Sequence, residues 1–257
     1  MESVLDVTLV NCLLVFSIVA FCGFMHTSTA VGYSIFAMTL MPLLLPFVSA
    51  AVINKIAMLA LTFMVIGKLR QKVDYSFIII PTITALFGDT LGFYVLISVD
   101  VSILKVALGA VLILFGLFMF IFNGRISIKR SVTASIIVGF LAGFMGGLFN
   151  LTGIVLAVYY FSVLDDKLAY ASSIQATMFI VKIWDIGINA IYGNYSIPGT
   201  WIYVIIAVGA VIFGGLLGLK VLKKINKDTI GKISYSYMII MGIALVINLE
   251  QILKGLH

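Results

Sequence analysis

The chain has 257 residues, of which 63% are hydrophobic and 10% charged, and its mean hydropathy is +1.24. An ordinary soluble domain carries roughly 25% charged residues, so the composition excludes a water-soluble enzyme, a disordered chain and a disulfide-stapled secreted domain. The net charge of +6 is not distributed as a nucleic-acid surface: 11 of the 16 Lys and Arg fall in three clusters, Lys68–Lys72, Arg125–Arg130 and Lys220–Lys232, each between apolar runs. Short basic loops of this kind face the cytoplasm in membrane proteins.

Ten apolar segments follow in chain order. They cover residues 4–24, 29–46, 48–67, 76–98 and 101–122, then 132–149, 153–164, 169–192, 200–219 and 233–253. A spanning helix takes about 20 residues, so these segments are expected to fill the 257 residues without a second, soluble domain. None alternates with period two, which excludes the strands of an outer-membrane barrel. The expected fold class is an all-α polytopic membrane protein. The start, Met1-Glu2-Ser3-Val4, has neither a basic n-region nor a small-residue cleavage site, so the first segment is expected to stay in place. Cys12 and Cys22 share that segment, too far apart on one helix for a disulfide, and read as packing residues.

The halves resemble each other. Gly32 and Gly153 follow polar breaks 121 residues apart, and Val73-Asp74-Tyr75-Ser76 corresponds to Gly193-Asn194-Tyr195-Ser196. The fourth segments share a small-xxx-small pattern, Gly88/Gly92 and Gly214/Gly218. Two repeats are therefore expected, over 1–124 and 131–257. The loop at Lys68–Lys72 is basic, whereas its counterpart at Tyr192–Thr200 carries no charge. The same element then faces opposite sides in the two copies, an inverted-topology repeat with both termini outside. The first two segments of each copy either cross fully or form hairpins.

The second segment of each copy is preceded by a polar break: His26, Thr27, Ser28, Thr29, Gly32, Tyr33 and Ser34 in one, Asn150, Thr152 and Gly153 in the other. Such a break is costly in lipid unless it lines a cavity. A helix starting after it turns free N–H groups and its positive dipole end toward the cavity, which suits an anion without any Lys or Arg. Helix capping and glycine packing are the competing reading.

The stretch Thr29-Ala30-Val31-Gly32-Tyr33-Ser34-Ile35-Phe36-Ala37, ending in Met41-Pro42-Leu43-Leu44-Leu45, resembles the first signature of the TauE/SafE family of membrane permeases. Residues 139–153, from Gly139-Phe140 to Asn150-Leu151-Thr152-Gly153, resemble its second. The resemblance implies export or uptake of small sulfur-containing anions such as sulfite and organosulfonates.

Charges inside the apolar segments form a second constellation. Lys182 and Asp185 share one helix face, Asp89 sits in the fourth segment, and Lys55 and Gln175 occupy matching repeat positions. Lys182 and Gln175 join the expected substrate site, and Asp89 and Asp185 are candidates for proton coupling. The alternative is a structural ion pair, and for Lys55 the favoured reading is snorkelling to an interface. Trp184, Tyr192, Tyr195 and Trp201 suit an aromatic belt. No phosphate loop, metal-ligand spacing or nucleophile triad is present, so neither an enzyme nor a cofactor is expected. The expected partners are a small anion and the bilayer. The glycine faces suit packing within one chain or in a homo-oligomer. The expectation is a secondary transporter of a small anion, with another organic anion or an anion channel as the alternative.

Overall fold

The computed structural model describes residues 5–29, 32–69, 73–122, 129–164, 167–221 and 227–247. They form ten α-helices: α1 (Leu9–Thr29), α2 (Tyr33–Leu40), α3 (Phe47–Leu69), α4 (Tyr75–Ser98), α5 (Val101–Phe122), α6 (Val132–Phe149), α7 (Thr152–Val163), α8 (Lys167–Ile191), α9 (Thr200–Val221) and α10 (Lys227–Val246). A 3₁₀ turn, Met41–Leu43, continues α2. Seven of the helices (α1, α3, α4, α5, α6, α8 and α9) are long and apolar enough to cross a membrane. The 12 residues of α7 reach only about 18 Å, against a hydrocarbon core of about 30 Å. Large apolar residues face outward, with Leu9 76%, Phe63 69% and Ile191 84% exposed, while Lys55, Asp89, Lys182 and Asp185 are fully buried. That reversal of the soluble pattern marks a multi-pass membrane protein.

Local sequence explains the helix ends. The Asp74 side chain accepts from the Ser76 N–H at 3.0 Å and starts α4. The Ser131 hydroxyl accepts from the Ala134 N–H at 3.0 Å and starts α6. Asn150 ends α6 in the left-handed region at φ 63°, and its N–H donates to the Gly146 carbonyl at 2.8 Å. Of the three basic clusters, only Lys129, Arg130 and Lys220 have described side chains, and all three are exposed.

One expected break moves. His26–Thr29 form the last turn of α1 rather than a gap before the next helix. The reason is local. The Thr27 hydroxyl lies 3.1 Å from the Gly23 carbonyl and 2.9 Å from that of Gly215, and the Ser28 hydroxyl donates to Phe24 O at 2.8 Å. Hydroxyls that donate back to the preceding turn let polar residues stay helical. The described part of α1 runs to Thr29, and Gly32, whose φ of 130° suits glycine, stands immediately before α2.

The packing repeats itself. α4 packs along α6 as α9 packs along α1, and α3 meets α9 as α8 meets α4. α3 pairs with α8, and α5 with α10. Each of these pairings maps onto another, or onto itself, when the first five helices are exchanged for the last five. The contacts agree in detail. A Cβ on Gly88 or Gly92 would overlap the backbone carbonyl of Phe140 or Phe144, and one on Gly214 or Gly218 that of Ala20 or Phe24. These glycine faces are used within the chain.

Cross-contacts also give the directions. Thr82 meets Thr177, Thr90 meets Trp184, and Tyr94 meets Tyr192, so α4 and α8 run the same way and both end beside the 192–199 loop. The Leu5 N–H donates to Pro198 O at 3.2 Å, which puts the start of the described chain at that same end. The Arg130 guanidinium lies 4.0 Å from the Phe77 ring centre and joins the starts of α4 and α6 at the other end. Trp184, Tyr192 and Trp201 are exposed, but Tyr195 turns inward and packs beside Trp201 at 5.9 Å.

Candidate functional site

The first turns of α2 and α7 line one small cavity. Its walls are His26 from the last turn of α1, Gly32, Tyr33, Ser34 and Ile35 at the start of α2, and Leu151, Gly153 and Ile154 at the start of α7, closed by Met58 and Met178. It has room for roughly one water molecule. Neither helix start is capped by a side chain. The Ile35 N–H donates to Gly32 O at 3.1 Å and the Ile154 N–H to Leu151 O at 3.3 Å, and the positive dipole ends of both helices meet the same space. Met58 and Met178 are 120 residues apart, and Gly32 and Gly153 are 121 apart, so the walls pair across the two halves.

Buried hydrogen bonds hold the walls. The Tyr33 hydroxyl lies 2.8 Å from Asn54 Oδ1 on α3. The Gln175 side-chain nitrogen sits 3.0 Å from His26 Nε2, and the Tyr33 N–H approaches Nδ1 at 3.5 Å. Gln175 therefore orients His26 instead of lining the cavity itself.

The expected site residues thus divide. His26, Gly32, Tyr33, Ser34 and Gly153 line the cavity. Thr27 and Ser28 do not, because their hydroxyls are spent on backbone carbonyls. The side chain of Thr29 lies outside the described residues. Asn150 and Thr152 are buried beside the start of α7, and their side-chain polar atoms have no hydrogen-bond partner among the described residues. Sequence reasoning missed Asn54 and the two methionines. The methionines' 120-residue spacing was the available signal.

The charged residues form one cluster. Lys55 Nζ donates to Asp185 Oδ1 at 2.6 Å, and Lys182 Nζ to Asp185 Oδ2 at 3.1 Å. Asn189 Nδ2 donates to Asp185 Oδ1 at 3.0 Å, and Asn194 Nδ2 to Asn189 Oδ1 at 2.8 Å. Lys55 does not snorkel: it is 0% exposed and bonded to a carboxylate 130 residues away. A buried ammonium needs such a partner, and the packing of α3 on α8 supplies it. On α8, Lys182 stands one turn beyond Met178, so the cluster lies next to the cavity. Among the described residues, no three His, Cys, Asp or Glu side chains gather as a metal site would require.

A family model described as Sulfite exporter TauE/SafE matches residues 15–245. No curated protein and no solved structure matches the chain.

Proposed function

This chain belongs to the sulfite exporter TauE/SafE family, a family of membrane transporters, and from that premise we propose a secondary transporter for a small sulfur-containing anion, sulfite or an organosulfonate. The anion binds where the first turns of α2 and α7 meet, and because that cavity holds about one water molecule as it stands, the two helix starts part to admit it. One observation carries this reading: two uncapped helix starts, one from each half of the chain, face one cavity. Backbone amides and the Ser34 hydroxyl can donate to sulfonyl oxygens, and glycine at positions 32 and 153 permits close approach. One turn away, Lys55 and Lys182 share the single carboxylate of Asp185.

The transport cycle we propose is a movement of two inverted repeats, 1–124 and 131–257, about that cavity in the cell membrane, with both termini extracytoplasmic. Supporting this are the helix pairings that map onto each other, and the directions of α4 and α8. Those directions put the 192–199 loop at one end and the matching residues 73–76 at the other. The basic clusters support a cytoplasmic position for the 73–76 end.

Thermal unfolding in detergent tests the site. Sulfite, methanesulfonate and taurine are compared with acetate. A ligand at a hundred times its Kd stabilises by about 2.7 kcal/mol, which is several degrees in Tm. At least one sulfur anion should raise Tm in the wild-type protein, and Gly153→Leu, which fills the cavity, should remove that rise. Equal stabilisation by acetate would contradict selectivity for sulfur oxyanions, and no stabilisation by any anion would contradict the site.

A further inference from the structure

Four buried side chains among the described residues bear a full charge when ionised in the ordinary way: Lys55, Lys182, Asp89 and Asp185. The two acids are not equivalent. Asp185 accepts from Lys55, Lys182 and Asn189, so its carboxylate is fully engaged. Asp89 on α4 is just as deeply buried, yet neither of its oxygens has a hydrogen-bond partner among the described residues. It faces α6 at Gly146. A methyl group there would come within 3.3 Å of Asp89 Oδ1 and would also overlap the Thr152 hydroxyl, which has no partner either. The charged groups that act on Asp89 are Asp185 and Lys182 from α8 and Lys55 from α3. At this contact α6 presents Gly146 and α7 presents Thr152.

Charge counting separates the roles. With both acids ionised, two ammonium groups balance two carboxylates. A monoanion entering the adjacent cavity would leave one uncompensated negative charge in a site shielded from water, which is costly. A proton on Asp89 restores neutrality. Asp185 cannot take that part without stranding two lysines. Thr152 shares the Gly146 contact with Asp89, and Gly153 and Ile154, the next residues of α7, line the cavity.

We infer that Asp89 carries the coupling proton of a proton–anion symport, gaining one proton as a monoanion binds and releasing it when the anion leaves. One O–H bond forms and breaks per cycle. The proton comes from water on one side and returns to water on the other. This rests on the transporter reading above and adds the coupling ion, its residue and its stoichiometry.

The test uses the full chain in liposomes with methanesulfonate, which keeps a single negative charge at every working pH, so any proton that moves is moved by the protein. Exchange of labelled for unlabelled methanesulfonate at equal pH requires no net proton transfer. Uptake against an imposed pH difference, with an entrapped pH dye, counts protons per anion. The wild-type protein should exchange, should accumulate the anion about ten-fold per pH unit, and should move one proton per anion. Asp89→Asn should lose accumulation while exchange stays measurable, and Asp89→Glu should recover part of it. The inference is overturned if the wild type exchanges without moving protons, if only a sodium gradient drives accumulation, or if Asp89→Asn accumulates as the wild type does. If Asp89→Asn does not fold, the wild-type proton count decides alone. If the wild type exchanges no sulfonate at all, the transporter reading fails and this inference falls with it. The exchange arm tells those two failures apart.

Discussion

Asp185→Ala is expected to cost about 3–5 kcal/mol of stability, because it strands two buried ammonium groups at once. Lys55 and Lys182 are both 0% exposed, and Asp185 is the carboxylate they share. In detergent this should appear as a fall of roughly 10 °C in Tm, or as loss of the monodisperse peak. Lys55→Ala should cost less, since Lys182 then keeps the carboxylate to itself. The triple replacement Lys55→Met, Lys182→Met and Asp185→Leu should regain most of the stability, because well-packed apolar residues replace buried ion clusters at little cost. A Tm for Asp185→Ala within 2 °C or so of wild type would mean that the cluster is hydrated, contrary to its burial.

Gly88→Ala and Gly214→Ala should be the next most damaging changes. In each case the new methyl overlaps a backbone carbonyl on the facing helix, that of Phe140 or of Ala20. Backbone cannot rotate away as a side chain can, so the helices must separate. Overpacking of this kind costs about 1–3 kcal/mol, occasionally more. The two losses should match, because the contacts occupy equivalent places in the two halves. Gly187→Ala and Gly209→Ala are the controls: nothing lies within 4 Å of the added carbon, and alanine favours the helix by up to about 1 kcal/mol. Tm measured for the four variants checks this. A severe loss at Gly214 with none at Gly88 would contradict the equivalence of the halves.

These two sites mark the reach of sequence reasoning. The glycine ridges were readable because small-xxx-small spacing has one geometric use, and α5 and α6 fall where the apolar runs place them, at 101–122 and 132–149. The end of α1 was misjudged because Thr27 and Ser28 look like a break, yet their hydroxyls support the helix by bonding to its own carbonyls. Lys55 was misjudged for another reason. Its partner is 130 residues away, and pairing depends on how α3 packs on α8, which periodicity does not encode. The cavity was half readable. The glycines announced both interruptions, but Met58 and Met178, ordinary core residues by composition, gave no chemical signal.

In the proposed transporter, one site for a sulfur anion is built from both halves of the chain. Substrate protection of single cysteines tests it most directly. With Cys12 and Cys22 first replaced by serine and alanine, Ser34→Cys and Gly153→Cys place a thiol on each side of the cavity. The stabilising sulfur anion should slow modification of both thiols by a charged thiol reagent, over the same concentration range, and should leave Ser98→Cys at the far end of α4 unaffected. Protection at only one of the two cavity positions, or at neither, would contradict the shared site.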